Sequence, residues 1–379
     1  MRIGIDIRSL MDKEYSGVSL YTLDLLRSIL KQDRNNEYIL YYNSAKDISA
    51  RMPKLEYPNV SMIRTSYPNK LFNYFLQKIF AWPKLDKILG GVDIFFSPHI
   101  NFTSLSKKTK HILTIHDLSF LRYPEFFSFR KNFWHRSLGL KKAAKRADLI
   151  VAVSESTKKD VVELLEIDPE KTKVIHSGLD GRYRPIPKND ERLAIIKKKY
   201  SLPKKFILSL GTIEPRKNIS GLIKAFDRAL QFPELKDHYL LIAGRKGWKN
   251  KDVFRTFESI KHKDRVIFLG YIDEDAKPYL YNAASIFIYP SFYEGFGFPP
   301  LEAMACGTPV IAAGNSSLTE ACSDSALLVE ADNVESLAQG LRHLEIDKDL
   351  RDNLINKGFI QAGKFDWEDT AKKYINLFL

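Results

Sequence analysis

Ala284-Ser-Ile-Phe-Ile-Tyr-Pro-Ser-Phe-Tyr-Glu-Gly-Phe-Gly-Phe-Pro-Pro-Leu-Glu-Ala-Met-Ala-Cys-Gly-Thr-Pro-Val310 is the stretch on which the fold turns. Its opening, Ala284 to Pro290, reads as a buried strand, and Pro299 to Ala305 reads as a helix with proline at its first positions. A loop containing Gly295 and Gly297 joins them. Strand, loop and helix start in that order present backbone N–H groups and the positive end of a helix dipole, a setting suited to an anionic or oxygen-rich ligand. Two carboxylates frame it, Glu294 in the loop and Glu302 on the first turns of the helix. Carboxylates accept hydrogen bonds from paired hydroxyls, so these two suit a polyhydroxylated ligand.

The alternation extends outward in both directions. Phe206–Leu210, Tyr239–Ala243, Val266–Leu269, Ser285–Tyr289, Val310–Ala312 and Ala326–Val329 are apolar runs of strand length. The first half repeats the pattern at Ile3–Ile7, Tyr38–Tyr42, Ile94–Phe96, Ile112–Ile115 and Leu149–Val153, with helical periodicity between the runs. That is the signature of doubly wound parallel sheets. Leu179-Asp-Gly-Arg-Tyr-Arg-Pro-Ile-Pro-Lys-Asn-Asp-Glu191 interrupts the alternation with glycine and two prolines and reads as a linker. At 379 residues the chain outgrows a single core. The expected fold class is α/β, with two Rossmann-like domains over residues 1–180 and 203–364 and a cleft between the carboxyl edges of their sheets.

The two cysteines, Cys306 and Cys322, have no metal-ligand spacing and make no disulfide framework, which points to a reducing cytoplasm. No apolar run reaches membrane-spanning length, and Met1–Ile7 reads as a strand instead of a signal peptide. The formal net charge of +13 is unevenly spread: 0 over residues 1–50, +12 over residues 51–150 and +1 over the rest. The excess includes residues 69–87, Phe129-Arg-Lys-Asn-Phe-Trp-His-Arg136 and Lys141-Lys-Ala-Ala-Lys-Arg146, where basic and aromatic positions interleave. Two readings stay open: helices lying on an anionic bilayer, or core helices with solvated lysines. No recognition motif accompanies the charge, so a nucleic-acid partner is not expected.

Three further strings carry chemistry. Gly211-Thr-Ile-Glu-Pro-Arg-Lys-Asn-Ile219 follows a strand and precedes a helix, and its Arg216 and Lys217 suit a diphosphate. Ser16-Gly-Val-Ser-Leu-Tyr21 opens a helix; Gly17 either lets backbone approach a ligand or serves a turn. Thr114-Ile-His-Asp117 ends a strand with His116 and Asp117, a polar pair able to hydrogen-bond or handle protons. Asp273-Glu-Asp275 invites a metal, but it opens a helix and Asp273 reads as an N-cap.

The glutamate pair with Gly-Phe-Gly between, followed by Ala-Met-Ala-Cys-Gly-Thr-Pro-Val310, resembles the donor-site signature of the retaining nucleotide-sugar glycosyltransferases of GT-B fold, family four. The Gly211–Ile219 string is similar to that family's phosphate loop, and the His116 string to its mannosyl-transferring members. The resemblance covers the whole chain and implies that residues 365–379 form a helix crossing back to the first domain. It implies donor contacts from Gly17, Gly211, Thr212, Arg216, Lys217, Ile272, Glu294, Gly295, Phe296, Gly297, Phe298 and Glu302. Glu294 would hold donor-sugar hydroxyls, Glu302 the ribose, Arg216 and Lys217 the departing diphosphate, and His116 the sugar near its reacting face. No metal or other cofactor is implied, GDP-mannose is the leading donor with UDP-sugars behind it, and the acceptor residues are unassigned. The basic first domain suggests a saccharide or lipid-linked acceptor at the inner membrane face, in surface polysaccharide assembly. The alternatives are a nucleotide-sugar epimerase of the same fold and a non-catalytic nucleotide-binding scaffold.

Overall fold

Uninterrupted apolar runs become strands buried on both faces, as parallel sheets require. The computed structural model describes every residue except Lys13 and Lys70, and every other side chain except those of Tyr74 and Phe75. The described residues form two units. The first comprises Met1–Arg122, Arg130–Gly178 and Asp366–Leu379, and the second Tyr123–Phe129 and Leu179–Phe365.

The first unit holds β1 (Arg2–Asp6), β2 (Glu37–Asn43), β3 (Val60–Thr65), β4 (Ile94–Ser97), β5 (Lys110–Ile115), β6 (Leu149–Ala152) and β7 (Thr172–Val174). They make one parallel sheet in the order β3-β2-β1-β4-β5-β6-β7. The second unit holds β8 (Phe206–Leu210), β9 (Tyr239–Ala243), β10 (Val266–Gly270), β11 (Ile286–Tyr289), β12 (Val310–Ala313) and β13 (Leu327–Val329), parallel in the order β10-β9-β8-β11-β12-β13. Every apolar run picked out in the sequence is one of these strands. The two strands it does not reveal, β3 and β7, are the edges of the first sheet. Val60-Ser-Met-Ile-Arg-Thr65 is only partly covered, so its residues need not be apolar.

In each sheet the strand order reverses beside the first strand, between β1 and β4 and between β8 and β11. Ligands of open α/β sheets bind at such a switch point, beyond the carboxyl ends of the strands. Helix Ile219–Ala229 shows how the second sheet is covered. Ile219, Leu222, Ile223 and Phe226 recur at helical spacing and are all buried in the core with Ile207, Leu240 and Ile242. Each contributes roughly 1.5–3 kcal/mol by burial, and Phe226→Ala would cost about 3–5 kcal/mol. In the first unit, helix Trp367–Phe378 starts on an Asp366 cap accepting from the N–H groups of Glu368 and Asp369, and lies against helix Gly17–Gln32. The Tyr374 hydroxyl meets those of Tyr21 at 2.7 Å and Thr114 at 3.0 Å, a buried network joining this helix to β5.

The basic, aromatic stretches divide between the two readings left open. In residues 69–87, of which Lys70 lies outside the described residues, Phe72 and Leu85 are core while Ile79, Phe80 and Trp82 are exposed. In helix Phe129–Ser137, Phe129, Phe133 and Trp134 are 85%, 63% and 52% exposed. Asp273 stands at an N-cap position without capping. Its carboxylate accepts from Lys199 at 2.9 Å, because that ammonium is a stronger donor than the amides of the short turn behind it.

Candidate active site

The loops after β8 and β11 meet at the switch point of the second sheet. The β8 loop is held by the chain after β9: Gly211 N–H donates to Ala243 O at 2.8 Å, Ile213 N–H to Arg245 O at 2.9 Å and Gly247 N–H to Ile213 O at 3.0 Å. Gly244 makes this approach possible. A Cβ there would lie 1.9 Å from Gly211 O, and its φ of +143° is one that side chains rarely adopt. Asn218 then caps helix Ile219–Ala229, accepting from Gly221 N–H at 3.2 Å. Arg216 and Lys217 are thus fixed in the turn before a helix start.

Both cations converge on Glu294. Arg216 Nη1 donates to Glu294 Oε2 and Lys217 Nζ to Glu294 Oε1, each at 2.6 Å. Glu214, buried and not singled out from the sequence, takes the other edge of the guanidinium, accepting from Arg216 Nε at 3.1 Å and lying 3.0 Å from Nη2. The fork expected to meet a diphosphate therefore lies on carboxylates here. The Glu294 backbone is pinned by helix Ser316–Cys322: its N–H donates to Ser316 Oγ at 3.0 Å, and its carbonyl accepts from Ser317 Oγ at 2.9 Å. Burial alone would push the Glu294 carboxyl up, but the adjacent Arg216 and Lys217 charges hold it down at about 2. Burial and the Arg216 charge depress the Lys217 ammonium below its ordinary value, with Glu294 and Glu214 opposing.

The helix after this loop runs Phe298–Ala305, starting one residue before the first proline. Pro299 and Pro300 lack N–H groups, so of the first four helical residues Phe298 and Leu301 supply the amide donors. Gly297 turns into the helix with a φ of +108°, and a Cβ there would lie 2.9 Å from Leu318 Cδ2. Phe296 is a core side chain, edge-on to Phe298 and Phe365. Ile272, after β10, and Tyr293 are likewise buried.

Glu302 forms a separate group. It accepts from the Tyr281 hydroxyl at 2.6 Å and hydrogen-bonds Tyr183, which the linker delivers edge-on to Tyr281. Burial raises its carboxyl above the ordinary value despite the nearby Lys277 charge. Two tyrosines leave a carboxylate with room for further donors, since it has about four acceptor sites. Nothing in the polar linker string signalled Tyr183 as a partner of Glu302. Among the described residues no three His, Cys, Asp or Glu side chains gather as metal ligands.

Gly17 and His116 lie in the first unit. Gly17 is the first residue of helix Gly17–Gln32, capped by Ser16, and a Cβ on it would meet nothing within 4 Å. Its φ is not in the left-handed region, so the turn does not demand glycine. His116 Nε2–H donates to Pro98 O at 2.8 Å, leaving Nδ1 as an acceptor, and the Tyr21 ring stands edge-on 4.5 Å away. Burial pushes the imidazole down to about 4, so it is neutral at physiological pH. Asp117 accepts from Ser119 N–H at 3.1 Å and Ser119 Oγ at 2.7 Å, starting the next turn.

The family model described as Glycosyl transferases group 1 matches residues 192–361, and Glycosyltransferase Family 4 matches residues 15–182. O-antigen chain mannosyltransferase B of Escherichia coli is 30% identical over 286 residues, covering 75% of this chain and 72% of that protein. This chain belongs to glycosyltransferase family 4. Serotype-specific mannosyltransferase WbdA of E. coli is 33% identical over 274 residues, 71% of this chain but only 33% of that longer protein. Sucrose-phosphate synthase from Thermosynechococcus elongatus superposes with a TM-score of 0.76 at 20% identity, covering 100% of this chain and 98% of that one. The family 4 chain accordingly has the GT-B fold, two Rossmann-like units with parallel sheets and flanking helices. Among its described residues no helix is long and apolar enough to cross a membrane.

Proposed function

We propose that this family 4 glycosyltransferase moves a hexosyl group, with mannose from GDP-mannose as the leading donor, to a hydroxyl of a saccharide or lipid-linked acceptor, with retention of configuration. The observation that carries the reading is the buried group of Arg216, Lys217, Glu214 and Glu294 at the switch point of the second sheet. Two cations and two carboxylates balance one another in this group. An arriving diphosphate competes for Arg216 and Lys217, and Glu294, released from them, accepts hydroxyls of the donor sugar. When the bond from the sugar carbon to the diphosphate oxygen breaks, its electron pair goes to the diphosphate, the acceptor hydroxyl oxygen bonds to the sugar carbon, and the hydroxyl proton leaves on the diphosphate. The preplaced cations stabilise that growing charge more than they stabilise the ground state, which is what lowers a barrier. Glu302 holds the ribose hydroxyls, and His116, neutral, acts by hydrogen bonding. In this reading Arg216 and Lys217 meet the diphosphate charge in place of a metal. The mannosyltransferases similar to this chain support the choice of sugar and a role in polysaccharide assembly.

Residues 129–146 carry seven Lys and Arg and no Asp or Glu, and expose Phe129, Phe133 and Trp134. Such a face suits the anionic inner surface of a membrane, where a lipid-linked acceptor would be found. Co-sedimentation with anionic vesicles at low salt is expected, and its absence would remove the membrane from the proposal.

The decisive assay measures nucleotide diphosphate release from GDP-, UDP-, ADP- and dTDP-sugars, with and without a lipid-linked acceptor extract. Release stimulated by acceptor from one donor is the expected result. Conversion of the donor alone to an isomer would favour an epimerase. Absence of both, together with a thermal shift on bare nucleotide, would favour a scaffold.

A further inference from the structure

Residues Tyr123–Phe129 have no part in the chemistry above, yet their place in the structure is unusual. Arg122 before them and Arg130 after them belong to the first unit, whereas these seven residues cluster with the second. One side of the segment is fastened to the loop after β9. The Trp248 indole N–H donates to Phe126 O at 2.8 Å, Lys249 Nζ donates to Glu125 O at 2.6 Å, and the Phe127 and Trp248 rings stack at 5.7 Å. The other side meets the loop that carries Glu294. Tyr123 lies 5.7 Å from Tyr293 and Phe126 stacks on Phe292 at 5.6 Å, centroid to centroid.

Phe292 and Tyr293 immediately precede Glu294, and both are tied to Arg216. Phe292 N–H donates to Arg216 O at 2.9 Å, and Tyr293 O accepts from Arg216 Nη1 at 2.8 Å. Between the end of β11 and Phe298 the chain has no regular ladder of its own. Its conformation therefore depends on neighbouring side chains, and such segments open most easily when those contacts are lost.

We infer that Tyr123–Phe129 is a positioning strap for the donor loop, with Phe126 as its buttress and Trp248 as its anchor, keeping Glu294 aligned with Arg216 and Lys217. The inference rests on the function proposed above, so its test has one readout that needs no activity. Amide hydrogen exchange of the ligand-free protein over residues 292–297 is compared among the full-length wild type, Phe126→Ala, Phe126→Leu, Trp248→Ala and Trp248→Phe. Donor KM and kcat are measured alongside.

In both alanine variants, exchange in that loop and donor KM each rise about tenfold, kcat falls about threefold or less, and exchange in β8 and β9 is unchanged. Phe126→Leu restores most of the loss, and Trp248→Phe, which keeps the ring but not the N–H donor, is intermediate. Unchanged exchange over residues 292–297, or an unchanged KM, overturns the strap. If an alanine variant does not fold, the conservative pair decides by the same two measurements, Trp248→Phe differing from wild type and Phe126→Leu resembling it. A wild type that turns over no donor defeats the functional proposal, and hydrogen exchange then decides the strap alone.

Discussion

Glu294→Gln tests whether charge, as opposed to shape, holds the donor loop. The substitution keeps the side chain's length and one acceptor oxygen but turns an amide group toward one of the two cations. The Glu294 carboxyl lies at about 2 against an ordinary 4.5, a shift corresponding to about 3 kcal/mol of stability at neutral pH. Breaking a buried ion pair by removing one partner typically costs about 3–5 kcal/mol, and Glu214 still holds Arg216, so the lower end applies. The sign follows from the folded value being depressed. The contribution is complete above the unfolded value and is lost as pH falls toward the folded one. Chemical denaturation of wild type and variant should therefore differ by about 3 kcal/mol at pH 7 and by about 2 kcal/mol at pH 3.5. Carboxylates remote from this cluster titrate alike in both proteins and cancel in the difference. A gap that stays constant over this range, or one below about 1 kcal/mol at pH 7, would refute the electrostatic account.

Lys217→Met should lower turnover on the accepted donor by about 10²–10³-fold and cost about 1–3 kcal/mol of stability, less than a fully unpaired charge would because Arg216 remains on Glu294; steady-state kinetics with undiminished turnover would remove Lys217 from the chemistry. The buried His116 imidazole, depressed to about 4, favours the neutral form, so its contribution is complete above pH 6.5 and is lost as pH falls toward 4. His116→Asn should accordingly flatten the acid side of the stability profile by roughly 3 kcal/mol, and equal slopes for wild type and variant would contradict the buried neutral assignment. Tyr281→Phe takes a hydroxyl from the buried Glu302 carboxylate, which should cost about 1–3 kcal/mol and weaken nucleotide binding by calorimetry. Unaltered stability and affinity would show that Glu302 does not depend on it.

The sequence exposed the fold where burial left no freedom. Strands such as Ile286–Tyr289 and Val310–Ala313 are covered on both faces, so each position must be apolar and the run stands out. The edge strands β3 and β7 have open faces or only three residues, and nothing in their composition separates them from loop. Residues 69–87 show a different limit. Aromatic residues at helical spacing were compatible with a core face or an exposed one, and the chain uses both, burying Phe72 and exposing Phe80 and Trp82. Periodicity gives a face, but only neighbours decide whether it is covered.

The site was legible to the extent that its residues sit in one short string. Arg216 and Lys217 announced themselves as adjacent cations before a helix, and Glu294 as a carboxylate in a glycine loop, but their pairing spans 77 and 78 residues and no local pattern encodes it. Glu214 lies between Gly211 and Ile219 too, but a lone acid beside proline resembles any loop charge. Its role follows from desolvation. Two adjacent ammonium and guanidinium groups are costly to bury without counter-charge, and here Glu214 and Glu294 supply it. Residues that read as a phosphate site in the sequence thus form an ion-pair cluster in the fold, and the diphosphate role proposed for Arg216 and Lys217 requires a ligand to compete with these carboxylates.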